Sequence, residues 1–259
     1  MDRTIPAIPF VISLFIGMVI CLEIGRRLGS RRLAKDPQGA MLGLGVADGA
    51  IFALFGLMIA FTFSGAANRF DTRRQLIAEE ANAIGTAYLR VDLLAPDSQP
   101  MMRRQFKEYV DSRLEVYRRF PDIEAVKAKL SESAKIQTEI WSQAVAVTRL
   151  TGGHPDAAKL ILPALNSMID ITTIRTMAIR THPPRIIFAL LFVLALVCSL
   201  LVGFGTAGSK QRSWLHITAF ATITVISVYV ILDIENPRAG VIRIDAYDNV
   251  LIQLRESMQ

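Results

Sequence analysis

The stretch GAIFALFGLMIAFTFSGAAN, residues 49–68, contains no charged side chain over twenty positions. At a rise of about 1.5 Å per residue, roughly twenty helical residues cover the ~30 Å hydrocarbon core of a bilayer. Three other charge-free runs have similar lengths, at residues 5–22, 186–209 and 213–232. The sequence therefore predicts four membrane-spanning helices.

The overall composition supports a membrane protein and excludes several other classes. Hydrophobic residues make up 52% of the 259-residue chain, and the mean hydropathy is +0.37. Soluble domains have a lower hydropathy, and disordered chains contain fewer apolar residues. The two cysteines, Cys21 and Cys198, each lie inside a long apolar run. This placement excludes a disulfide scaffold, a paired-cysteine redox motif and a cysteine zinc site.

A polar segment separates the first two apolar runs from the last two. From about residue 69 to 184 the chain is rich in helix-forming residues. The predicted fold is therefore all-α, with four transmembrane helices in two hairpins and a soluble helical insert between the second and third helices. The first hairpin is predicted at 1–68, with helices at about 5–25 and 43–68. The soluble domain follows at 69–184. The second hairpin is predicted at 185–232, with helices at about 186–206 and 213–232, and a C-terminal tail at 233–259.

Turn-forming residues divide the insert into helices. Proline and glycine occur at 96–100, at Pro121 and at 152–155, where they are expected to interrupt helices. No such residue lies between Gly65 and Gly85, so helix two is expected to continue out of the membrane. The predicted helices run from helix two to about 94, and over about 100–120, 121–150 and 155–181. Apolar residues recur near a 3.6-residue period, which indicates helix: Leu114, Val116, Tyr117, Ile123, Val126 and Leu130.

The end of helix two carries a recognisable motif. Residues 61–74 read FTFSGAANRFDTRR, which resembles the signature that ends the pore-lining second helix of the bestrophin family. The matching residues are Phe61, Ala66, Arg69, Phe70 and Arg74. Asp71 stands where the family has a second aromatic residue.

A second motif follows helix four. Residues 233–240 read DIENPRAG and are similar to the family's Ile-Glu-Asn-Pro-Phe-Gly stretch. The matching residues are Ile234, Glu235, Asn236, Pro237 and Gly240. Arg238 replaces the phenylalanine, and Ala239 is an additional residue. With the four-helix layout, the two motifs resemble the bacterial, bestrophin-like branch of the family.

The resemblance implies a homo-pentameric ion channel of the bacterial inner membrane, with five copies of helix two around the pore. Its expected partners are inorganic ions, membrane lipids and further copies of the chain. It also implies that both termini and the insert are cytoplasmic. Loop charges predict the opposite orientation, because basic residues in short loops favour the cytoplasmic side. These basic residues are Arg26, Arg27, Arg31, Arg32, Lys35, Lys210 and Arg212. The orientation therefore stays open.

Two nearly opposite faces of helix two compete as the pore lining. Polar groups in membrane helices avoid lipid, which selects a stripe of Asp48, Phe55, Ile59, Thr62, Arg69 and Arg73. The family's hydrophobic neck, carried over through Phe61, instead selects Ala53, Leu57, Phe61, Ser64 and Asn68. We adopt the second face for the neck, because the spacing from Phe61 to Arg69 matches the motif. The competing interpretation is that Leu57 and Phe61 are ordinary packing residues.

Arg69 and Arg73, with Arg74 beside them, are predicted to lie at one mouth of the pore. In a five-fold assembly they would form a ring that concentrates anions and repels cations. The alternative is that these arginines anchor the helix at the membrane interface or pair with Asp71, Glu79 and Glu80. Asp48, at the other end of the helix, would favour cations. The sign of the permeant ion is therefore open.

Metal binding, catalysis and nucleic-acid binding are not expected. Animal bestrophins bind calcium after the fourth helix, but the corresponding stretch here contains Arg238 and Arg243. Asp245 and Asp248 supply too few of the six to eight oxygens that calcium requires. The three histidines are isolated, and no phosphate-binding loop or metalloprotease motif occurs. Basic residues border membrane segments, which favours lipid phosphates over nucleic acid as partners.

A second class of function is compatible with the same sequence. The chain would then be a non-conducting membrane-anchored sensor or scaffold whose helical insert binds a partner. This alternative rests on the insert, about 115 residues long, in which no motif for any chemistry is recognised.

Overall fold

Helices make up most of the described chain. The computed structural model describes residues 6–35, 44–119, 122–208 and 214–258, and this part of the chain contains no β-strand. The α-helices are α1 (Ala7–Lys35), α2 (Leu44–Leu89), α3 (Gln99–Arg118), α4 (Ile123–Val147), α5 (Ala157–Arg180), α6 (Arg185–Gly205), α7 (Trp214–Glu235) and α8 (Asn249–Ser257). Short 3-10 turns lie at Arg90–Leu93, Pro96–Ser98 and Asp245–Asp248. The prediction of an all-α fold is confirmed.

Four of these helices, α1, α2, α6 and α7, are long and apolar enough to cross a membrane. The prediction of four candidate spans is therefore confirmed. In α2 the apolar part is the charge-free stretch 49–68, and the helix continues beyond it to Leu89. This length agrees with the absence of proline and glycine between Gly65 and Gly85, since those residues most often end helices.

Two regions differ from their predicted boundaries. Helix α1 continues to Lys35, well past the predicted end near residue 25. Basic side chains in its last turn interact favourably with the negative end of the helix dipole. The predicted C-terminal tail contains α8, in which Leu251 is fully buried. Pro121, and the predicted turn with Lys210 and Arg212, lie outside the described residues.

The chain forms two compact units. The first contains the described residues of 1–68 together with His182–Asn236. The second contains Arg69–Thr181 and the described residues of 237–259. The chain therefore passes between the units at three places: within α2, after α5 and after α7.

In the first unit, α1 and α6 approach closely at glycines. A β-carbon on Gly25 would lie 2.0 Å from the carbonyl oxygen of Leu200, and one on Gly203 would lie 2.0 Å from that of Leu22. These distances are far below van der Waals contact, so a side chain at either position would push the two backbones apart. Close packing of this pair of helices therefore requires glycine at both positions.

The core of the second unit centres on α3. Phe106, Tyr109 and Val110 are fully buried in the hydrophobic cluster of this unit. Helix α4 begins at a capping residue, because the carboxylate of Asp122 accepts the backbone N–H groups of two residues in its first turn at 3.1 Å. The buried side chains hold α3 in the core, and the Asp122 cap defines the start of α4.

The periodic apolar residues of the insert lie at its core except at one position. Four of these residues are buried in the cluster and one packs against it: Leu114, Val116, Tyr117 and Val126, with Leu130 beside them. Ile123 is the exception and is 54% exposed. It is the first residue of α4, and its position precedes the turns that pack against α3.

Candidate functional site

Helix α2 has one buried side and one exposed side within the membrane stretch. Phe55, Thr62 and Ala66 are buried. These residues recur at intervals of seven and four, which places them on one face of a helix. The opposite face carries the five residues predicted to line the pore, all of them exposed: Ala53, Leu57, Phe61, Ser64 and Asn68.

The competing polar stripe of α2 faces the rest of its own chain. Two of its members within 49–68, Phe55 and Thr62, are buried, and Ile59 is half-buried. The hydroxyl of Thr62 donates to the carbonyl oxygen of Met58 at 2.6 Å. Beside this stripe, Phe52 packs edge-on against Phe220 of α7, with ring centroids 6.5 Å apart. Phe55 and Thr62 of this stripe are therefore packed inside the protomer.

The exposed side of α2 differs in composition from the exposed side of α1. Along α1 most of the exposed residues of the apolar run are large and aliphatic, such as Ile8, Ile12, Ile16, Ile20, Ile24 and Leu28, although Ser13 and Phe15 are also exposed. Along α2, small and polar residues alternate with the large ones: Ala53, Gly56, Ala60, Ser64 and Asn68. A β-carbon on Gly56 would meet no atom within 4 Å. Small and polar residues on a membrane helix favour contact with other helices or with water over contact with lipid.

The two predicted pore-mouth arginines have different environments. Arg69 is half-buried. Arg73 is 4% exposed, and its guanidinium donates to the carbonyl oxygens of Ala178 at 3.1 Å and Thr181 at 2.8 Å. These carbonyls lie at the C-terminal end of α5, where backbone oxygens lack helical partners. Arg73 thus caps α5, and Arg69 remains the candidate for the pore-mouth charge.

The remaining motif residues of α2 lie at the start of its second half. Phe70 is half-buried. Arg74 pairs with Asp71 at 3.3 Å, and its guanidinium also donates to the hydroxyl of Tyr247 at 3.0 Å. The pairing of Arg74 with a nearby carboxylate therefore agrees with the alternative given for this arginine cluster.

The second sequence motif closes the end of α7. The side-chain amide of Asn236 donates to the carbonyl oxygen of Leu232 at 2.9 Å. Glu235 is buried, with its carboxylate 3.3 Å from Nδ1 of His182. Ile234 is also buried, and the carbonyl oxygen of Pro237 accepts the backbone N–H of Ile244 at 3.1 Å. The motif therefore ends the helix and begins a loop that is closed between Pro237 and Ile244.

A buried charge cluster in the second unit was not predicted. Glu80 of α2 is completely buried and accepts the Nε–H of Arg113 at 2.5 Å. Arg175 of α5 and the hydroxyl of Tyr117 also donate to this carboxylate. Burial favours a higher pKa for Glu80, but Arg113 and Arg175 outweigh it and lower the pKa to about 2. The carboxylate is therefore charged at neutral pH.

Arg238 extends the cluster to the segment that follows α7. Its guanidinium donates to both carboxylate oxygens of Asp248, at 2.8 and 3.1 Å, and to Asp245 at 2.9 Å. Asp248 also accepts from Arg175 at 3.2 Å. The carboxylates that were judged too few for calcium are thus paired with arginine. No cluster of three or more metal-ligating side chains occurs in the described part of the chain.

One groove of the second unit is lined by basic residues. It has a volume of about 410 Å³ and lies at the start of α3, where its lining residues are Pro96, Gln99, Pro100, Arg103, Arg104 and Lys107. Arg103 pairs with Asp92 and lies over the ring of Tyr88. The groove therefore offers positive charge to an anionic partner.

The sequence and the fold are similar to those of known proteins. The profile of the Bestrophin-like domain matches residues 10–247. A bacterial bestrophin homologue from Klebsiella pneumoniae has a TM-score of 0.61 at 12% identity, over 93% of this chain and 99% of that one. A crystal structure described as a membrane protein has a TM-score of 0.63 at 14% identity, over 97% and 98%. No curated protein sequence matches the chain.

Proposed function

The chain belongs to the bestrophin-like family, and from this membership we propose that it is an oligomeric ion channel of the bacterial inner membrane. Helix α2 of each copy lines the pore, and five copies surround it. The transported partners are inorganic ions, and the remaining membrane helices contact lipid. Conduction and not catalysis is the proposed activity.

The exposed face of α2 is the observation that carries this proposal. A helix surrounded by its own protomer would bury both sides, whereas α2 exposes one continuous side from Ala53 to Asn68. That side mixes small and polar residues with Leu57 and Phe61. Five copies placed around an axis would cover this side, and Ser64 and Asn68 would then face water or one another rather than lipid.

The neck of the proposed pore is formed by Leu57 and Phe61, with Ala53 one turn further along the same face. Rings of apolar side chains can close a pore to ions because water leaves a narrow apolar constriction readily. Phe61 suits this role because 66% of its surface is free of contacts within its own protomer. Arg69 lies two turns beyond Phe61 and supplies the charge at that mouth.

Ion flux and oligomeric state test the proposal together. The purified protein is reconstituted into liposomes of bacterial lipids, and efflux of chloride and of potassium is measured separately. Its mass in detergent is measured by light scattering. We expect flux and a mass of five copies. A monodisperse monomer or dimer without flux of either ion contradicts the proposal.

The basic groove at the start of α3 favours a second candidate function, a membrane-anchored scaffold. In that case an acidic partner would bind the helical unit, and no ions would flow. Deletion of residues 95–150 does not separate the two functions, because it removes α3 and α4 with nearly half of the unit's core. The double substitution Arg104→Gln and Lys107→Gln is the better test. It should abolish partner capture in a scaffold and leave flux unchanged in a channel.

A further inference from the structure

The exposed side of α2 continues in phase beyond the membrane stretch. Further along the helix, the exposed residues on the face of Phe61 are Thr72, Gln75, Glu79, Asn82 and Thr86. Glu79 follows Phe61 after roughly five full turns, so the two residues lie on one line, about 27 Å apart along the helix axis. One side of α2 is therefore exposed from Ala53 to Thr86.

The buried side of α2 continues in the same way. Its residues follow one another at intervals of seven, four and three, which keep side chains on one face of a helix. They are Phe55, Thr62, Ala66, Arg73, Ile77, Glu80 and Ile84. The helix is unbroken from Leu44 to Leu89 and contains no proline, a common cause of sharp kinks. The face that carries Phe61 is consequently the face that carries Glu79.

The exposed side changes from apolar to polar along the helix. Leu57 and Phe61 are large and apolar, whereas the exposed residues on this face from Gln75 to Thr86 carry amide, carboxylate and hydroxyl groups. Polar side chains of this kind favour contact with water. An apolar neck followed by a polar wall on the same line suits a pore that opens into a water-filled section.

The charge of this polar section comes from Glu79. Its carboxylate is exposed and accepts the side-chain N–H of Gln75 at 2.8 Å, a neutral partner that leaves the negative charge in place. Asp71 differs, because it pairs with Arg74 at 3.3 Å. From Gln75 to Leu89, α2 contains no lysine or arginine that could neutralise Glu79. In an assembly around α2, copies of Glu79 would place their charges together.

We propose that Glu79 gives the pore a preference for cations, because five copies form a ring of carboxylates in its water-filled section. Such a ring concentrates cations and repels anions. Glu79 thereby opposes the positive charge of Arg69, which is half-buried, whereas Glu79 is exposed in line with the neck. The role of Glu79 rests on the proposed channel function, since it requires that α2 of each copy lines the pore.

The substitution Glu79→Gln tests this role, with Glu139→Gln as its matched control. Glu139 is an exposed glutamate of α4, so its substitution removes the same charge from a different helix of the second unit. The ratio of potassium to chloride permeability is obtained from the zero-current voltage of a planar bilayer in a KCl gradient. It should fall by roughly tenfold in Glu79→Gln and stay unchanged in Glu139→Gln. An unchanged ratio in Glu79→Gln, or an equal fall in both variants, overturns the proposal.

Exchanging Gln75 and Glu79 moves the charge without removing it. The double substitution Gln75→Glu and Glu79→Gln keeps the net charge and the amide–carboxylate pair, and shifts the ring by one turn, about 6 Å, on the same face. It should restore most of the wild-type preference for potassium. A ratio as low as that of Glu79→Gln alone would show that this side of α2 does not face the ions.

Ionic strength gives a readout that a purely structural role would not change. Screening shortens from about 10 Å in 0.1 M salt to about 3 Å in 1 M salt. The preference of the wild type for potassium should therefore shrink towards that of Glu79→Gln as KCl is raised over this range. A difference between the two proteins that persists undiminished in 1 M KCl contradicts a charged ring in a water-filled section.

Mass and current separate this proposal from the channel function on which it rests. Glu79→Gln should keep the mass of the wild-type assembly, measured by light scattering in detergent. Dissociation of this variant would place Glu79 between copies rather than along the pore and overturn its role. If the wild type carries no current of either ion, the channel function fails and the role of Glu79 fails with it. Current with the wild-type permeability ratio in Glu79→Gln overturns the role of Glu79 alone.

Discussion

Phe61 and Thr62 are adjacent in α2 but lie in opposite environments. Phe61 is 66% exposed, whereas Thr62 is 7% exposed. Neighbouring residues in a helix point about 100° apart, so one substitution at each position changes one face and leaves the other intact. The pair therefore distinguishes the two faces of α2 that sequence alone left in competition.

Replacing Phe61 with alanine should increase ion flux. The side chain makes few contacts within the protomer, so its removal should cost little stability. In the proposed pore it would widen the apolar constriction without changing charge, and water and ions would pass more readily. Flux is measured in liposomes at matched protein levels for the wild type and Phe61→Ala.

Thr62→Ala is the control for that measurement. The Thr62 side chain is buried and donates a hydrogen bond to the carbonyl oxygen of Met58. Alanine should therefore lower the free energy of unfolding by about 1 kcal/mol and leave flux unchanged. If Thr62→Ala opens the pore while Phe61→Ala lowers only the yield, the polar stripe lines the pore and the assignment to Phe61 is wrong.

Gly203→Ala should destabilise the first unit. The added methyl group would lie 2.0 Å from the carbonyl oxygen of Leu22, and backbone cannot move aside as a flexible side chain can. Overpacking of this kind costs about 1–3 kcal/mol or more. Gly205→Ala, in the same helix, has no atom within 4 Å of the new methyl group. It should have the same melting temperature as the wild type. Equal melting temperatures for the two variants would refute close packing at Gly203.

Glu80→Gln should destabilise the second unit strongly. The substitution leaves Arg113 and Arg175 buried without their shared counter-ion, a change that typically costs about 3–5 kcal/mol. The adjacent Glu79 is exposed, and its carboxylate accepts from Gln75 at 2.8 Å. Glu79→Gln should therefore stay within about 0.5 kcal/mol of the wild type. Thermal unfolding in detergent compares the two variants, and a similar loss in both would contradict the importance of the buried pairs.

Acid should weaken the same cluster. Because the pKa of Glu80 is lowered from 4.5 to about 2 in the folded protein, its charged form stabilises the fold at all pH values above 4.5. That contribution is lost as the pH falls from 4.5 towards 2, since the unfolded chain then binds the proton first. When the melting temperature is measured at several pH values in this range, it should fall more steeply with decreasing pH for the wild type than for Glu80→Gln. An equal dependence of the melting temperature on pH in both proteins would show that Glu80 does not titrate in this way.

Arg69 and Arg73 should differ in what their substitution changes. Arg69→Gln removes the proposed mouth charge and should lower chloride flux relative to potassium flux. Arg73→Gln removes two hydrogen bonds to the end of α5 and should lower stability by about 2 kcal/mol, because bonds from charged donors are the stronger ones. A change of ion preference in Arg73→Gln at unaltered stability would contradict its role as a cap.

Much of the fold was predictable from local sequence. Charge-free runs predicted the four spans because the hydrocarbon core excludes charge over a fixed length. The absence of a helix breaker between Gly65 and Gly85 predicted the long continuation of α2. The motifs at 61–74 and 233–240 predicted the family, and the match to the Bestrophin-like domain confirmed it.

Tertiary structure alone decided which side of α2 is buried and which charges pair. The membrane part of α2 carries polar residues on both faces, Thr62 on one and Ser64 and Asn68 on the other, so its pattern does not select a buried side, and Thr62 is hidden by packing that its own sequence does not specify. Glu80 lies 33 residues from Arg113 and 95 from Arg175. Charges so far apart in sequence resemble an ordinary solvated helix face until folding brings them together and removes water from between them.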